Sequence, residues 1–540
     1  MNPGPVVSVV IPVWNVESYL QECLDSVVSQ SIGLDCLEVL AVDDGSSDGS
    51  GALLDQYAER YPQVRVFHEP NSGGPGRPRN IGLDNAVGTY VFFLDADDYL
   101  GREALERLVD MAEKNHSDVV LGKMAGVGGR LVPSRAFRRT RDRAKLSQVY
   151  STLSVLKMFR RSLIESVGAR FPEGLASNED GISTERMYLS AKVISVVADY
   201  DCYYYRLRPG SQTRGGGGRK DVGRYLGVMT ERIELLAQTL PPGKERDRLM
   251  VKHISAVLDG MGGRWLALPP EDRRRIFDQA AELIRRWHTD VVQAHLAPPL
   301  TLRAYCLQHG LRSELEAIVA CRPRTAFDNP VVEGQRVFAG YPHFRDDSRI
   351  PDSCFELTDR IRLRQRTLRL DVEGARLNLS GEAYLRYLGG STSIVLRRRP
   401  FGPEHRFTPD PTPTPHLRDR DASYRRAGFS TTIDLDAAGK GRPLRSGVWD
   451  IEICVGRDGF SRRAPIDPPE GDRMPRSHIG TRVSVHIHRH RKPTLVVGRS
   501  ATSNRLMRAS RAALRRLPPT VRHRLRLGRP RRLGATRERS

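Results

Sequence analysis

The stretch Val39-Leu-Ala-Val-Asp-Asp-Gly-Ser-Ser-Asp-Gly-Ser50 decides the fold, because an apolar, strand-forming run stops in it at two carboxylates and a flexible turn. Buried strands of parallel sheets carry such continuous apolar runs, and ligands gather where those strands end. An acid at this position can accept a hydrogen bond from a nucleotide base or a ribose hydroxyl. Helix capping by Asp44, Ser46 or Ser47 is the alternative for these residues.

The same pattern extends through the first hundred residues. Apolar runs that favour strands alternate with amphipathic segments that favour helices. The predicted strands are residues 6–13, 37–43, 63–69 and 88–95. This alternation predicts a doubly wound α/β domain with a parallel sheet and a ligand crevice at the carboxyl ends of its strands.

A second strand end carries three acids, in Tyr90-Val-Phe-Phe-Leu-Asp-Ala-Asp-Asp98. Asp95 and Asp97, one residue apart, point near-parallel from an extended segment and can share a divalent cation with a diphosphate. An EF-hand calcium loop is excluded, because Tyr99 and Leu100 occupy the positions of its fifth ligand and its required glycine. A solvated acidic turn is the alternative.

A glycine-rich loop, Asn71-Ser-Gly-Gly-Pro-Gly-Arg-Pro-Arg-Asn-Ile-Gly82, follows the third predicted strand. Its glycines permit close approach to the backbone, while Arg77 and Arg79 supply cations for a phosphate. A nicotinamide dinucleotide fold is disfavoured, since Arg79 replaces the third glycine of that fingerprint and the loop does not open the first strand–helix unit. An ordinary surface turn is the alternative.

The pair Glu179-Asp180 opens a predicted helix directly after Ser177 and Asn178. Asn178 suits an N-cap, and acids in a first turn complement the positive end of the helix dipole. The residues alone therefore leave a structural role and a catalytic role open for this pair.

The rest of the chain changes from helical to strand-like patterns. Helical periodicity is predicted over residues 153–166, 225–238, 246–261 and 271–287. Strand-like alternation, typical of a β-sandwich, follows over residues 375–388, 392–397, 428–435 and 447–455. A loop with four consecutive glycines, residues 214–219, marks a boundary or a flap. The predicted domains are 1–215, 216–325 and 326–497, followed by an Arg-rich amphipathic or disordered tail, 498–540.

The positive charge of the chain is concentrated in that tail. The 540 residues carry a formal net charge of +22, yet residues 1–215 carry −4 and residues 501–540 carry +12. The tail contains no aromatic residue, which disfavours a nucleic-acid partner read by base stacking. Three interpretations of the tail stay open: a solvated end, a helix on an anionic membrane surface, or a binding segment for a polyphosphate chain. No apolar run is long enough to cross a bilayer, so we expect a cytoplasmic protein, with the tail suited to peripheral membrane contact.

Four motifs, in order, resemble the inverting family 2 glycosyltransferases with a GT-A fold over about residues 6–215. They are Val6-Val-Ser-Val-Val-Ile-Pro-Val-Trp-Asn15, Val42-Asp-Asp-Gly-Ser-Ser-Asp-Gly-Ser50, Arg79-Asn80 and Asp95-Ala-Asp-Asp98. More narrowly, Gly74-Pro-Gly-Arg-Pro-Arg-Asn80 and the helical and strand-rich regions resemble the wall teichoic acid β-N-acetylglucosaminyltransferases. The resemblance implies an α/β GT-A nucleotide-sugar-binding domain, a helical linker domain and a C-terminal β-sandwich region.

The resemblance also implies roles for individual residues. The implied donor-binding residues are Pro12, Asn15, Asp44, Asn71, Arg79, Asn80 and Asp95. Asp95 and Asp97 would bind Mn²⁺ or Mg²⁺, with Asp97 as the more direct ligand. Arg130, and Arg206 or Arg208, would clamp the diphosphate. Asp180 would act as general base and Glu179 would orient the acceptor, so that direct displacement inverts the anomeric centre.

The predicted function is metal-dependent transfer of a sugar, N-acetylglucosamine as first choice, from a UDP-sugar to an anionic polyol-phosphate polymer. Transfer to another capsular or cell-wall polysaccharide is one alternative, and a non-catalytic polysaccharide-binding scaffold is another. The acids Asp95, Asp97 and Asp180 favour an enzyme over the scaffold. A membrane-embedded processive synthase is disfavoured, because its Gln-x-x-Arg-Trp pattern is missing. The resemblance further predicts homo-oligomerisation through the C-terminal region.

Overall fold

A computed structural model of the protein describes residues 4–132, 135–173, 179–208, 221–321, 330–346, 349–419, 422–469, 483–486 and 493–497. The chain divides into two compact units, Met1–Leu315 and Glu316–Ser540. The glycine-rich loop at 214–219, the predicted cap Asn178 and the tail 498–540 lie outside the described residues. The domain boundaries at 215/216, 325/326 and 497/498 stay predictions.

The first unit begins with an eight-stranded sheet in the order β3-β2-β1-β4-β7-β6-β8-β5. Its strands are β1 (Val7–Val13), β2 (Leu37–Asp43), β3 (Val64–His68), β4 (Tyr90–Phe93), β5 (Tyr99–Leu100), β6 (Val119–Val127), β7 (Met158–Arg160) and β8 (Ile194–Arg206). Strands β1 to β4 pair in parallel, which confirms the four predicted strands and their doubly wound arrangement. Apolar side chains of β1, β2 and β4 are fully buried, as expected for strands covered on both faces.

The sheet is mixed, because β7 lies antiparallel between β4 and β6. The predicted helix over 153–166 is therefore wrong in its first half, and only its end is helical. Val155, Leu156, Met158 and Phe159 are buried in and beside the sheet. A short buried apolar run has no period that separates a strand from a helix, which explains the error.

The described residues of this sheet domain form seven helices. They are α1 (Glu17–Val28), α2 (Ser50–Arg60), α3 (Gly76–Asn85), α4 (Ala104–Asn115), α5 (Leu146–Val149), α6 (Arg161–Ser166) and α7 (Glu179–Ser190). Helix α3 packs on β1 so closely that a Cβ at Gly82 would lie 2.3 Å from Cγ1 of Val10. Glycine is thus required there for close helix–sheet packing.

The helical region follows, and all but the end of its last helix belongs to the same unit. It contains α8 (Val222–Thr239), α9 (Lys244–Gly260), α10 (Gly263–Leu266), α11 (Pro270–Trp287), α12 (Asp290–His295), α13 (Pro298–Gln308) and α14 (Arg312–Ala320). Three of these match the helices predicted at 225–238, 246–261 and 271–287. Asp221 caps α8 by accepting a hydrogen bond from the Arg224 N–H at 2.9 Å. No helix in the described parts of the chain is long and apolar enough to span a bilayer.

The second unit is strand-rich. Its strands are β9 (Val331–Glu333), β10 (Arg336–Phe338), β11 (Leu363–Glu373), β12 (Arg376–Leu385), β13 (Ser391–Arg398), β14 (Glu404–Phe407), β15 (Asp410–Thr412), β16 (Arg418–Asp419), β17 (Ala422–Ser423), β18 (Gly428–Asp434), β19 (Gly447–Arg457), β20 (Phe460–Pro465), β21 (Val483–His486) and β22 (Thr494–Val497). A four-stranded sheet, β11-β12-β18-β15, contacts a six-stranded sheet through β12 and β19. Buried residues such as Leu377, Leu379 and Ile453 fill this core, and the predicted β-sandwich is confirmed.

Candidate active site

The predicted motifs meet at one edge of the first sheet. Strand β1 pairs with both β2 and β4 in parallel, so the three strands end side by side. The Asp44 N–H donates to the Val13 carbonyl at 2.8 Å, and the Leu94 N–H donates to the Val10 carbonyl at 3.1 Å. The carboxylate motifs after β2 and β4 are therefore neighbours at the carboxyl ends of the strands, where α/β sheets bind ligands.

Asn15 ties the loops after β1 and β2 together. Its backbone is left-handed, with φ at 47°, a conformation that asparagine tolerates better than most residues. Its side-chain Oδ1 accepts a hydrogen bond from the Ser47 N–H at 2.8 Å, and its own N–H donates to Ser46 Oγ at 3.1 Å. Pro12 lies half-buried on β1, opposite Val42. In this structure Asn15 thus holds together two of the loops predicted to bind the donor.

Asp44 organises the glycine-rich loop. Its buried carboxylate accepts hydrogen bonds from the Ser72 N–H and the Ser72 hydroxyl, both at 3.0 Å, and its carbonyl accepts one from Asn71 Nδ2 at 2.9 Å. Burial raises the pKa of Asp44, and the hydrogen bonds from Ser72 oppose that rise. A Cβ at Gly45, where φ is +71°, would lie 2.7 Å from the Asn71 nitrogen, so the loops approach through a required glycine.

The two family-motif residues of α3, Arg79 and Asn80, are both buried and both paired. Arg79 Nη2 donates to Asp95 Oδ1 at 2.8 Å, and its guanidinium lies over the Phe171 ring. Asn80 donates to the Phe171 carbonyl at 2.9 Å and accepts from the Phe171 N–H at 2.8 Å. Both contact protein groups in this structure, and the donor-binding role implied for them stays a prediction.

The three acids after β4 divide into two sets. Asp98 is buried, and it accepts hydrogen bonds from the Tyr203 hydroxyl and the Arg206 N–H, both at 2.7 Å. Burial, with the charges of Asp95 and Asp97, raises the pKa of Asp98 to about 8. Asp98 thus joins the acidic segment to β8.

Asp95 and Asp97, by contrast, are only partly buried. Asp97 accepts a hydrogen bond from Arg208 Nε at 2.5 Å. Burial raises the pKa of Asp95; Arg79 opposes the rise, and the negative charges of Asp97 and Asp180 add to it. The negative charges of Asp97 and Asp180 thus both act on Asp95.

This pair of acids fits a hard divalent cation. Among the described residues no group of three or more His, Cys, Asp or Glu side chains forms a closed metal cage. Mg²⁺ is commonly bound by one or two carboxylates, with waters and substrate phosphates completing its shell. Asp95 and Asp97 match that donor set. A bound cation would neutralise their negative charges, which otherwise repel each other.

Asp180 lies in the first turn of α7. Its Oδ2 accepts a hydrogen bond from the Val155 N–H at 3.3 Å. Lys157 lies behind it, fully buried, and donates to the Thr152 carbonyl at 3.1 Å. Burial lowers the pKa of the Lys157 ammonium to about 7, and the charge of Asp180 opposes that fall. Glu179 is the first residue of α7.

The predicted arginines take different places. Arg130 lies over the Tyr205 ring at 4.0 Å and hydrogen-bonds to its hydroxyl, and the charge of Asp95 acts on Tyr205. Arg206 pairs with Glu22 at 2.5 Å. Of the two alternatives, Arg206 and Arg208, it is therefore Arg208 that contacts the acids after β4, through Asp97.

Sequence reasoning missed the aromatic side of the site. Tyr203 and Tyr205 come from β8, and Phe171 lies between α6 and α7. Tyr203 also receives a hydrogen bond from the Asp95 N–H at 3.3 Å. The run of three tyrosines at 203–205 was the available signal, because alternate residues of a strand face the same side.

Three family-level matches cover most of the chain in order. Residues 8–168 match glycosyl transferase family 2, residues 223–319 match the glycosyl transferase TarS linker domain, and residues 362–496 match the TarS beta-glycosyltransferase C-terminal domain 1. They follow the order of the sheet domain, the helical region and the strand-rich unit.

Curated relatives align with part of the chain. A poly(ribitol-phosphate) beta-glucosyltransferase of Bacillus spizizenii is 44% identical over 207 residues, which is 38% of this chain and 33% of the relative. The glycosyltransferase GlyG of Streptococcus pneumoniae is 30% identical over 230 residues, which is 39% of this chain and 73% of the relative. The match to the first of these thus spans about a third of its length.

Two solved structures extend the likeness. The crystal structure of S. aureus TarS has a TM-score of 0.68 at 20% identity, covering 91% of this chain and 84% of that one, and shows a common fold. S. aureus TarS 1–349 in complex with UDP-GlcNAc has a TM-score of 0.54 at 27% identity, covering 63% of this chain and 98% of that one. Together with the strand-end acids and the sheet order, these matches establish that the chain belongs to glycosyltransferase family 2.

Proposed function

We propose that this chain is a metal-dependent, inverting glycosyltransferase that moves a sugar from a UDP-sugar to a hydroxyl of an anionic polyol-phosphate polymer of the teichoic acid kind. The carboxylate motifs that meet at the carboxyl ends of β2 and β4, with the charge of Asp180 acting on Asp95, carry the proposal. A sugar transferase of this class must neutralise a departing diphosphate and deprotonate an acceptor, and these acids are suited to the two tasks.

The donor half of the site consists of the loops after β1, β2 and β4. Asp97, with Asp95 beside it, would hold Mn²⁺ or Mg²⁺, which when bound supplies charge that stabilises the leaving UDP. Asn15 and Asp44 hold the two loops that would enclose the uridine. Arg79 keeps the Asp95 carboxylate in place. Arg208 pairs with Asp97 in this structure, and its guanidinium is within reach of a diphosphate bound at that carboxylate.

The acceptor half centres on Asp180. Its carboxylate would take the proton from an acceptor hydroxyl while the oxygen forms a bond to the anomeric carbon. The bond between that carbon and the UDP oxygen breaks on the opposite face, so the configuration inverts and the electron pair leaves with UDP. The Val155 N–H fixes one carboxylate oxygen of Asp180, which orients the carboxylate for this step.

N-acetylglucosamine is the first choice of sugar, because the TarS structure of similar fold is a complex with UDP-GlcNAc. The Bacillus spizizenii relative is named a glucosyltransferase, so glucose is the direct competitor. A panel of UDP-GlcNAc, UDP-glucose and UDP-galactose tests this by UDP release on poly(ribitol phosphate), with poly(glycerol phosphate) and a neutral glucan as matched acceptors.

We expect UDP-GlcNAc with poly(ribitol phosphate) to give the highest kcat/KM, and chelation with EDTA to remove the activity. A higher kcat/KM with UDP-glucose would replace the sugar and leave the reaction class intact. Turnover on the neutral glucan alone would contradict the acceptor class, and donor binding without any turnover would favour the scaffold.

The basic tail is proposed to keep the enzyme near its polyanionic acceptor or an anionic membrane surface in the cytoplasm. Residues 501–540 carry a net charge of +12, and such contacts weaken as salt screens them. Deleting 501–540 is expected to raise the KM for polymeric acceptor at low salt, by up to about tenfold, and to raise it less at high salt. Equal KM for the full and shortened chains at every salt concentration would remove this proposal.

A further inference from the structure

A buried polar cluster lies behind α7, on the side that faces the helical region. Glu185 of α7 is fully buried, and its carboxylate accepts hydrogen bonds from Arg232 Nε of α8 at 2.7 Å and from His253 Nε2 of α9 at 2.8 Å. The Tyr150 hydroxyl donates to the same carboxylate. Four separate segments of the chain thus meet at one carboxylate.

The charges of this cluster are matched. Burial opposes ionisation of Glu185, yet the hydrogen bond from His253 and the positive charge of Arg232 hold the pKa of Glu185 below its ordinary value. Burial lowers the pKa of His253, so its ring is neutral. Ionised Glu185 and Arg232 therefore form a desolvated pair, and removing either partner would leave a buried charge without its counter-ion.

Arg232 also touches the turn that carries Asp180. A Cβ built at Gly181 would lie 2.6 Å from Arg232 Nη1, so the guanidinium lies against the helix backbone there. Gly181 and Glu185 are four residues apart and share one face of α7. One guanidinium therefore holds the helix at two points, the first of them directly after Asp180.

The other support of Asp180 depends on the same helix. Asp180 accepts its hydrogen bond from Val155, and the preceding Thr152 hydroxyl lies 3.1 Å from the Tyr188 hydroxyl of α7. A displacement of α7 would therefore move Asp180 and this support together.

We propose that Arg232 is a positioning residue for sugar transfer: through Gly181 and Glu185 it holds the first turns of α7 and sets the place of Asp180. The inference rests on the proposed function of Asp180 as base. It makes the helical region part of the catalytic apparatus, because Arg232 and His253 both belong to it.

The adjacent residue supplies a matched control. Glu231 of α8 pairs with Arg186 of α7 at 3.3 Å, and both side chains are exposed. Arg232→Gln is expected to lower kcat at least tenfold, with KM for UDP-GlcNAc and the UDP dissociation constant within twofold of wild type. Glu231→Gln is expected to stay within twofold in all three constants, since exposed pairs contribute little. Equal behaviour of the two variants would overturn the inference.

Two further variants separate positioning from folding. Gly181→Ala leaves Glu185 and Arg232 in the chain, and its gain in helix propensity offsets part of the strain, so its unfolding temperature should fall less than that of Arg232→Gln, whereas its kcat should fall as the methyl displaces the guanidinium. Arg232→Lys, which keeps the charge, should recover part of the kcat lost in Arg232→Gln. A kcat of Gly181→Ala equal to wild type, or no recovery by lysine, would count against the proposal.

The Asp180→Asn background provides the decisive comparison. If Arg232 acts through Asp180, Arg232→Gln should cause no further loss of kcat in that background. An equal fold-loss in both backgrounds would show that Arg232 acts elsewhere and would overturn the inference alone. Wild-type turnover by Asp180→Asn would instead remove the base assignment, and the inference with it.

Discussion

Asp180→Asn is expected to lower kcat by about 10²- to 10⁴-fold, because general-base catalysis contributes that much and an amide cannot take the acceptor proton. Asparagine has the same shape, and its Oδ1 can still accept from the Val155 N–H, so the fold and the donor loops should not change. The dissociation constant of UDP, measured by calorimetry, should stay within about twofold of wild type, since Asp180 belongs to the acceptor half.

Asp84→Asn is the matched control for this change. Asp84 is an exposed acid of α3 that pairs with Arg170 at 2.8 Å. Its amide variant should keep wild-type kcat, since exposed ion pairs contribute little to stability. A kcat of Asp180→Asn within about threefold of the Asp84→Asn value would contradict the assignment of Asp180 as base.

Asp97→Asn is expected to reduce turnover on the order of 10²-fold and to weaken activation by Mn²⁺ or Mg²⁺. The cation is proposed to stabilise the leaving diphosphate, a contribution of several kcal/mol, and loss of one anionic ligand weakens its binding. Turnover measured across a Mn²⁺ titration should show a half-saturating concentration shifted upward at least tenfold. Calorimetric binding of Mn²⁺ in the presence of UDP should shift in the same direction.

The control here is Asp110→Asn. Asp110 is an exposed acid on α4, outside the motifs of the site. It loses the same charge, so it corrects for a general change in cation attraction, and it should titrate with Mn²⁺ like wild type. An unchanged Mn²⁺ titration for Asp97→Asn would exclude Asp97 as a ligand. Wild-type turnover that survives EDTA would exclude metal dependence altogether.

The parts of the fold with a repeating pattern were predictable. The strand-end motifs, the helices near 225–238, 246–261 and 271–287, and the sandwich strands all follow from period-2 or period-3.6 patterning. Several strands, among them β6, β7 and β8, were not predicted, and the three residues of β7 between β4 and β6 have no period of their own. Its antiparallel direction depends on partners far along the chain.

The pairing of the site residues was less predictable than their location. Arg79 pairs with Asp95 and Asp98 pairs with Tyr203, contacts that span 16 and 105 residues and leave no local pattern. Glu185 and His253 stand beside the charged residues Arg186 and Lys252, so no local pattern marked the buried cluster.

The clamp between Asn80 and Phe171 limits how this enzyme could be re-engineered. Asn80 belongs to the glycine-rich segment 71–82, whereas Phe171 leads toward α7 and Asp180, and a Cβ at Gly76 would lie 2.3 Å from the Pro172 carbonyl. A glycine-rich loop grafted from another transferase to change the donor would break these contacts unless residues 171–173 were exchanged with it. Chimeras that exchange 71–82 and 171–173 as one module are the ones expected to fold with both half-sites intact.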